Sequence, residues 1–181
     1  MKLTMTQIKK ELIGKQSSEL VDIICRLCKT SKEAADQVNL ILGNDSFVDD
    51  ALAEAKSKVR NQFFTKRGYG ALHLTTAKSA ITDFKKICAD PEKLIDLQMY
   101  YVECGIEFTN ELGDINGSFY NSMASMYETV VKALIKTNDT QLIGKFMPRL
   151  EKAVSDTRGI GWGFHDDLCE TCSMINAGRN Q

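Results

Sequence analysis

Residues 91–112 read PEKLIDLQMYYVECGIEFTNEL, and their order sorts charge and hydrocarbon onto different sides of one helix. At about 100° per residue, Glu92, Asp96, Glu103, Glu107 and Glu111 fall within roughly a quarter-turn. Leu94, Leu97, Tyr101, Cys104 and Phe108 recur at three- and four-residue intervals. Ile95, Met99, Val102 and Ile106 make a second stripe beside them, so more than half of the circumference is apolar. A helix dressed this way belongs at the centre of an all-α protein. Asp90 reads as its N-cap and Pro91 as its first residue, where a missing amide hydrogen costs nothing.

Working outward, the same rhythm extends in both directions and leaves little room for strand alternation. A short helix is expected over Thr6–Ile13, ending at Gly14, and a second opens at Ser17 or Ser18 with Leu20, Ile23, Ile24, Leu27 and Cys28 on one face. Ser31 caps a third, Lys32–Leu42, which stops at Gly43. Asp45 or Ser46 starts a fourth, whose Leu52, Ala55, Val59 and Phe63 share a side, and an irregular loop then covers Thr65–Leu74. Thr75 or Thr76 restarts a helix with Ala77, Ala80, Ile81, Phe84 and Cys88 facing inward.

After the central helix, Gly113–Gly117 is a tight turn, and Ser118 is expected to cap a helix striped by Phe119, Met123, Met126, Val130 and Leu134. So short a turn makes the two helices antiparallel neighbours. From Thr140 the pattern runs through Ile143, Phe146, Leu150 and Val154, with Pro148 either kinking that helix or beginning another. A glycine-rich connection, Arg158–Gly163, leads to a last helix over Phe164–Ile175, and Trp162 within it reads as a core anchor between the last two helices. The expectation is a single domain over 1–181 with a polar tail from about 177. It would hold about eight helices in antiparallel hairpins, as a compact bundle or a short α-α superhelix.

Composition narrows the functional classes. With 181 residues, 43% hydrophobic and 26% charged, the chain can bury a sizeable core without a metal or disulfide staple. A net charge of −1 supplies no global field for nucleic acid or an anionic membrane. Neither a signal-peptide core nor an 18-residue apolar span is present, and the six cysteines sit among apolar helical positions, which suits buried thiols in a reducing, cytoplasmic setting.

Charge is nevertheless uneven. Between Ala55 and Thr82 stand Lys56, Lys58, Arg60, Lys66, Arg67 and Lys78 with no acid, whereas Asp90–Asp114 holds seven acids and one lysine. Two explanations compete. Lys66 and Arg67, beside Gly68 and Tyr69, would form an anion- or partner-binding site, with Arg67 suited to bidentate contact. Alternatively, the basic segment lies against the acidic stripe and the charges neutralise each other, each exposed pair contributing only about 0–1 kcal/mol.

Cys25 with Cys28, and Cys169 with Cys172, repeat a Cys-x-x-Cys spacing, but each pair falls inside a helix rather than in a metal-binding knuckle. His165, Cys169 and Cys172 share one helical face, so a metal-dependent enzyme built on them is a remote third reading against small buried hydrophobes and a satisfied histidine. The turn Asp114-Ile115-Asn116-Gly117 starts like a calcium loop yet lacks the later ligands, including the bidentate acid. Gly159, Gly161 and Gly163 follow no strand and do not form a dinucleotide fingerprint, and His73 has no nucleophile placed beside it.

In four stretches the chain resembles a numbered bacterial family of uncharacterised all-helical proteins, the domain-of-unknown-function family six-one-five-five. They are MKLTMTQIKKEL at the start, FFTKRGYG at 63–70, YYVECGIEFTNELGDINGSFYNSM at 100–123 and GIGWGFHDDL at 159–168. The resemblance implies a helical cytoplasmic protein and carries no assigned reaction. It also implies that the positions of Cys25, Cys28, Cys169 and Cys172 are filled by ordinary hydrophobic residues in similar chains.

With abundant helix pairing and no coherent catalytic constellation, the chain reads as a non-enzymatic helical module that binds a protein or peptide, without a cofactor. Lys66, Arg67, Gly68, Tyr69, Asp114 and Asn116 are its candidate contact residues. The alternative is a nucleic-acid or polyanion binder using the basic segment 56–78, through Lys56, Arg60, Lys66, Arg67 and Lys78.

Overall fold

A computed structural model describes residues 2–43 and 45–178. The polar tail expected from about 177 therefore lies, from 179 onward, outside the described residues. Nine helices are present among the described residues, and the fold is all-α as its periodicity implied. The chain divides into two compact units that meet at Val48 and Asp49.

The first unit contains α1 (Met5–Ile13), α2 (Ser17–Thr30) and α3 (Lys32–Ile41). Each start is held by a local cap: Thr4 and Gln7 form a reciprocal capping box, the Glu19 carboxylate accepts the Gln16 amide, and the Ser31 hydroxyl accepts the Ala34 amide. None of these three helices contains a fully buried residue.

The second unit begins within α4 (Asp45–Phe63) and continues through α5 (Leu74–Ile87), α6 (Pro91–Leu112), α7 (Gly117–Thr137), α8 (Thr140–Asp156) and α9 (Phe164–Gly178). Asp90 accepts the Glu92 amide and Pro91 opens α6, as its sequence implied. This helix packs against α5, α7 and α8, and α9 closes over α7 and α8. Ala77, Ala80, Ile81, Phe84 and Cys88 are all buried. So are Leu97, Tyr101, Cys104 and Phe108 of the central helix. A fully buried side chain of this size contributes about 1.5–3 kcal/mol of hydrophobic stabilisation.

The buried tyrosines keep their hydroxyls bonded. Tyr101 meets Ser122 at 2.8 Å, Tyr120 meets Thr109 at 2.7 Å, and Tyr127 donates to the Leu150 carbonyl at 3.1 Å. Burial pushes the Tyr101 phenol up to about 12, although its bond with Ser122 works the other way.

Three local expectations are revised, and the choice left open at Pro148 is resolved. The segment after α4 is not wholly irregular: β1 (Phe64–Thr65) and β2 (Gly68–Tyr69) pair antiparallel around Lys66 and Arg67. Thr65 stabilises this turn by donating its hydroxyl to the Gly68 carbonyl and accepting the Arg67 amide. Pro148 does not begin a new helix, since α8 runs through it. The carbonyl it leaves without a donor belongs to Gly144, on the exposed side where water is available.

The cap of α7 is Asn116, not Ser118: its side-chain oxygen accepts the Phe119 amide at 2.9 Å, and the helix therefore starts at Gly117. Replacing Asn116 with alanine should cost about 1 kcal/mol in urea unfolding, whereas Ser118→Ala should change stability by only a few tenths. Trp162, finally, is no core anchor. It is 62% exposed with a positive φ of 62°, because the glycine-rich connection turns it away from the core formed by Phe164 and Leu168.

Candidate functional site

The middle of the acidic stripe of α6, Asp96, Glu103 and Glu107, is held by cations from two neighbouring helices, while Glu111 stays exposed. Arg149 of α8 grips Glu103 through two bonds of 2.7 and 2.8 Å and reaches Asp96 at 2.6 Å. From the other side, Lys56 of α4 approaches Asp96 at 2.6 Å, and Arg60 clasps Glu107 with bonds of 2.8 and 2.9 Å. Lys145 pairs with Glu92 and Lys93 with Asp49.

Bidentate guanidinium contacts of this kind fix orientation as well as charge. The Arg60 hydrogen bond holds the Glu107 carboxyl below its usual range. At Asp96 burial works to raise the value, but the Lys56 and Arg149 bonds together outweigh it and the net displacement is downward. A groove of about 520 Å³ remains between α6 and α8, floored by Ile106 and Ala153 and rimmed by Glu107, Glu111, Arg149 and Lys152.

Charge neutralisation thus accounts for Lys56 and Arg60 but not for Lys66 and Arg67. The last two are exposed at the hairpin turn, facing neither Glu103 nor Glu107, and neither forms an ion pair among the described residues. Gly68 supplies the positive φ of 124° that lets the second strand leave the turn. Tyr69 anchors the hairpin, its ring 5.8 Å from Phe108 and 6.3 Å from Phe64, with half of its surface still exposed.

Asp114 and Asn116 stand in the turn between α6 and α7, and no hydrogen bond links them to Lys66 or Arg67 among the described residues. Asp114 has a partner that its sequence neighbourhood did not reveal. Both carboxylate oxygens accept the Trp162 indole N–H, at 2.8 and 3.0 Å, and Oδ1 also accepts the Tyr120 hydroxyl at 2.8 Å. The Trp162 bond first, and the Tyr120 bond second, hold the Asp114 carboxyl below its ordinary value. A Cβ on Gly117 would lie 3.2 Å from the Trp162 ring, so the missing side chain makes space for the indole. This cluster is a clasp between two connections, and Asn116 serves it as a helix cap.

The six cysteines divide three ways, with Cys28 half-buried between two clearer groups. Cys88, Cys104 and Cys172 are buried, and burial pushes the Cys104 thiol up to about 11, well out of the reactive range. Cys25 and Cys169 are exposed, against the expectation that all the thiols are enclosed. Cys169 lies one residue off the inward line of Phe164, Leu168, Cys172 and Ile175, while Cys25 belongs to a unit whose helices bury nothing fully. His165 stands half-buried, with Nε2 3.5 Å from the Cys169 sulfur. Among the described residues, no three histidine, cysteine or acidic side chains come together as a metal cage.

A different surface, absent from the sequence-based candidates, is strongly apolar. Between α1 and α2 runs a groove of about 790 Å³ lined by Met5, Ile8, Leu12 and Ile13 from one helix and Leu20 from the other, with Lys9 as its single charge. Met5 and Ile13 are more than three-quarters exposed. The signal that could have found it is the three- and four-residue spacing of Met5, Ile8 and Leu12 in this short helix.

No helix among the described residues is long and apolar enough to cross a membrane. No curated protein and no solved structure matches the chain. The family described as "Family of unknown function (DUF6155)" matches residues 3–171, nearly the full length, and the chain belongs to that family.

Proposed function

We infer that the protein is a helical interaction module whose α1–α2 groove receives the apolar face of an acidic amphipathic helix from a partner protein. The observation that carries this reading is the uncovered groove itself. A nine-residue helix is too short to persist in water by propensity alone, and α1 buries none of its residues fully. Its exposed Met5 and Ile13 gain stabilisation only when something apolar lies over them.

Charge selects the occupant. Residues 2–15 contain Lys2, Lys9, Lys10 and Lys15 against Glu11 alone, and with Lys15 paired to Glu19 the first three lysines attract an acidic rim on the incoming helix. A second copy would set these lysines against one another.

Two synthetic peptides with identical leucine spacing, one flanked by glutamate and one by lysine, test the reading by fluorescence anisotropy on the full chain. The glutamate peptide should bind at least tenfold more tightly, and Ile13→Glu, a surface change, should abolish the difference. Equal binding of both peptides, no binding of either, or indifference to Ile13→Glu would refute it. So would sedimentation showing a dimer that Ile13→Glu dissociates, because the groove would then be taken by a second copy.

A further inference from the structure

The pair Cys169 and His165 stands apart from everything assigned above, since it touches neither the groove nor the charged stripe. The Thr157 hydroxyl, on a fully buried residue, donates to the Val154 carbonyl at 2.8 Å. His165 Nδ1 lies 3.1 Å from that same carbonyl and 3.1 Å from the Thr157 oxygen. The Thr157 hydrogen is already used and a carbonyl can only accept, so Nδ1 must carry the ring proton. Nε2 therefore presents its lone pair to the Cys169 sulfur 3.5 Å away, with S–H as donor. A thiol, an imidazole and a group that fixes the ring's tautomer are the parts of an activated nucleophile. Here the thiol is also open to solvent.

We propose that Cys169 is a modification site, a base-assisted thiol that exchanges with low-molecular-mass disulfides. Nε2 takes the Cys169 proton and the thiolate attacks one sulfur of the incoming disulfide. A new Cys169 sulfur–sulfur bond forms as the old one breaks. The departing thiolate recovers the proton from His165, so Cys169 is oxidised to a mixed disulfide while half of the reagent is reduced to a thiol. Cys172, one turn away, is buried and does not compete for the reagent.

The chain carries its own reference. Cys25 is also exposed but has no hydrogen-bond partner among the described residues, and Cys104 is 1% exposed. Full-length protein treated with 2-hydroxyethyl disulfide, sampled over time and digested for mass spectrometry, gives the rate at each cysteine. Cys169 should react at least about ten times faster than Cys25. His165→Gln should bring the two rates together while Cys104 stays unmodified, which shows that the fold is intact. Equal rates at Cys169 and Cys25 in the unaltered protein would overturn the proposal without recourse to any variant. An unchanged ratio in His165→Gln would overturn it as well.

Discussion

Arg149→Met should lower the stability of the protein by about 2–3 kcal/mol, seen as a fall of roughly 5–10 °C in the thermal midpoint. The substitution removes three charge-assisted bonds at once and leaves Glu103 without the guanidinium that clasped it. It keeps the aliphatic volume that packs along α8. The expected loss is set below that for a fully buried pair because these side chains retain some exposure, 30% for Arg149 and 24% for Asp96.

Acid provides the second measurement. The Asp96 carboxyl is displaced downward in the folded protein, so the unfolded chain binds more protons as pH falls through the ordinary carboxylate range. Its contribution is therefore present above that range and lost below it. The gap between the unaltered protein and Arg149→Met should be widest near neutrality and should narrow as pH is taken below the ordinary carboxylate range. A gap that stays constant would mean that Arg149 acts through packing alone.

Gly105→Ala should cost about 2 kcal/mol, although alanine is by about 1 kcal/mol the better residue in a helix interior. The added carbon would lie 2.1 Å from the Met123 sulfur and 3.0 Å from its Cγ, and Met123 has no exposed surface into which to retreat. Met123→Ala alone should cost about 3 kcal/mol by opening a cavity. Together the two changes should cost less than their sum by at least about 1 kcal/mol, because the new methyl enters the space the methionine leaves. Urea midpoints of the four proteins close the cycle. Strict additivity would show that α6 and α7 are not in contact at this point.

What could be read from the residues follows from the range of the forces involved. The rhythm of α6, its Asp90 cap and the inward face of α5 are local facts of spacing, and the structure keeps them. The hairpin at 64–69 was hidden because its turn is Lys66-Arg67, without the Asn-Gly or Asp-Gly pair that announces such turns. Trp162 was misplaced because hydrophobicity alone says "inside", whereas the indole N–H found a carboxylate 48 residues away.

The candidate residues fared according to the same rule. That the acidic stripe had basic partners was legible from the charge imbalance. That its main one would be Arg149, outside the basic segment, was not, since no periodicity links α6 to α8. The apolar groove of α1 was not legible, because a stripe has the same spacing whether the fold covers it or leaves it bare.

The distribution of charge along α6 also bears on how the molecule assembles. Glu103, Glu107 and Glu111 follow one another at four-residue intervals, so they repel within an isolated helix and disfavour its early formation. Relief comes from Arg60 at a separation of 47 residues and from Arg149 at 46, one preceding and one following in the chain. During synthesis the central helix emerges with half of its neutralising cations not yet made. The clasp on Glu103 can form only once α8 has been made, which ties the last third of the polypeptide to the middle.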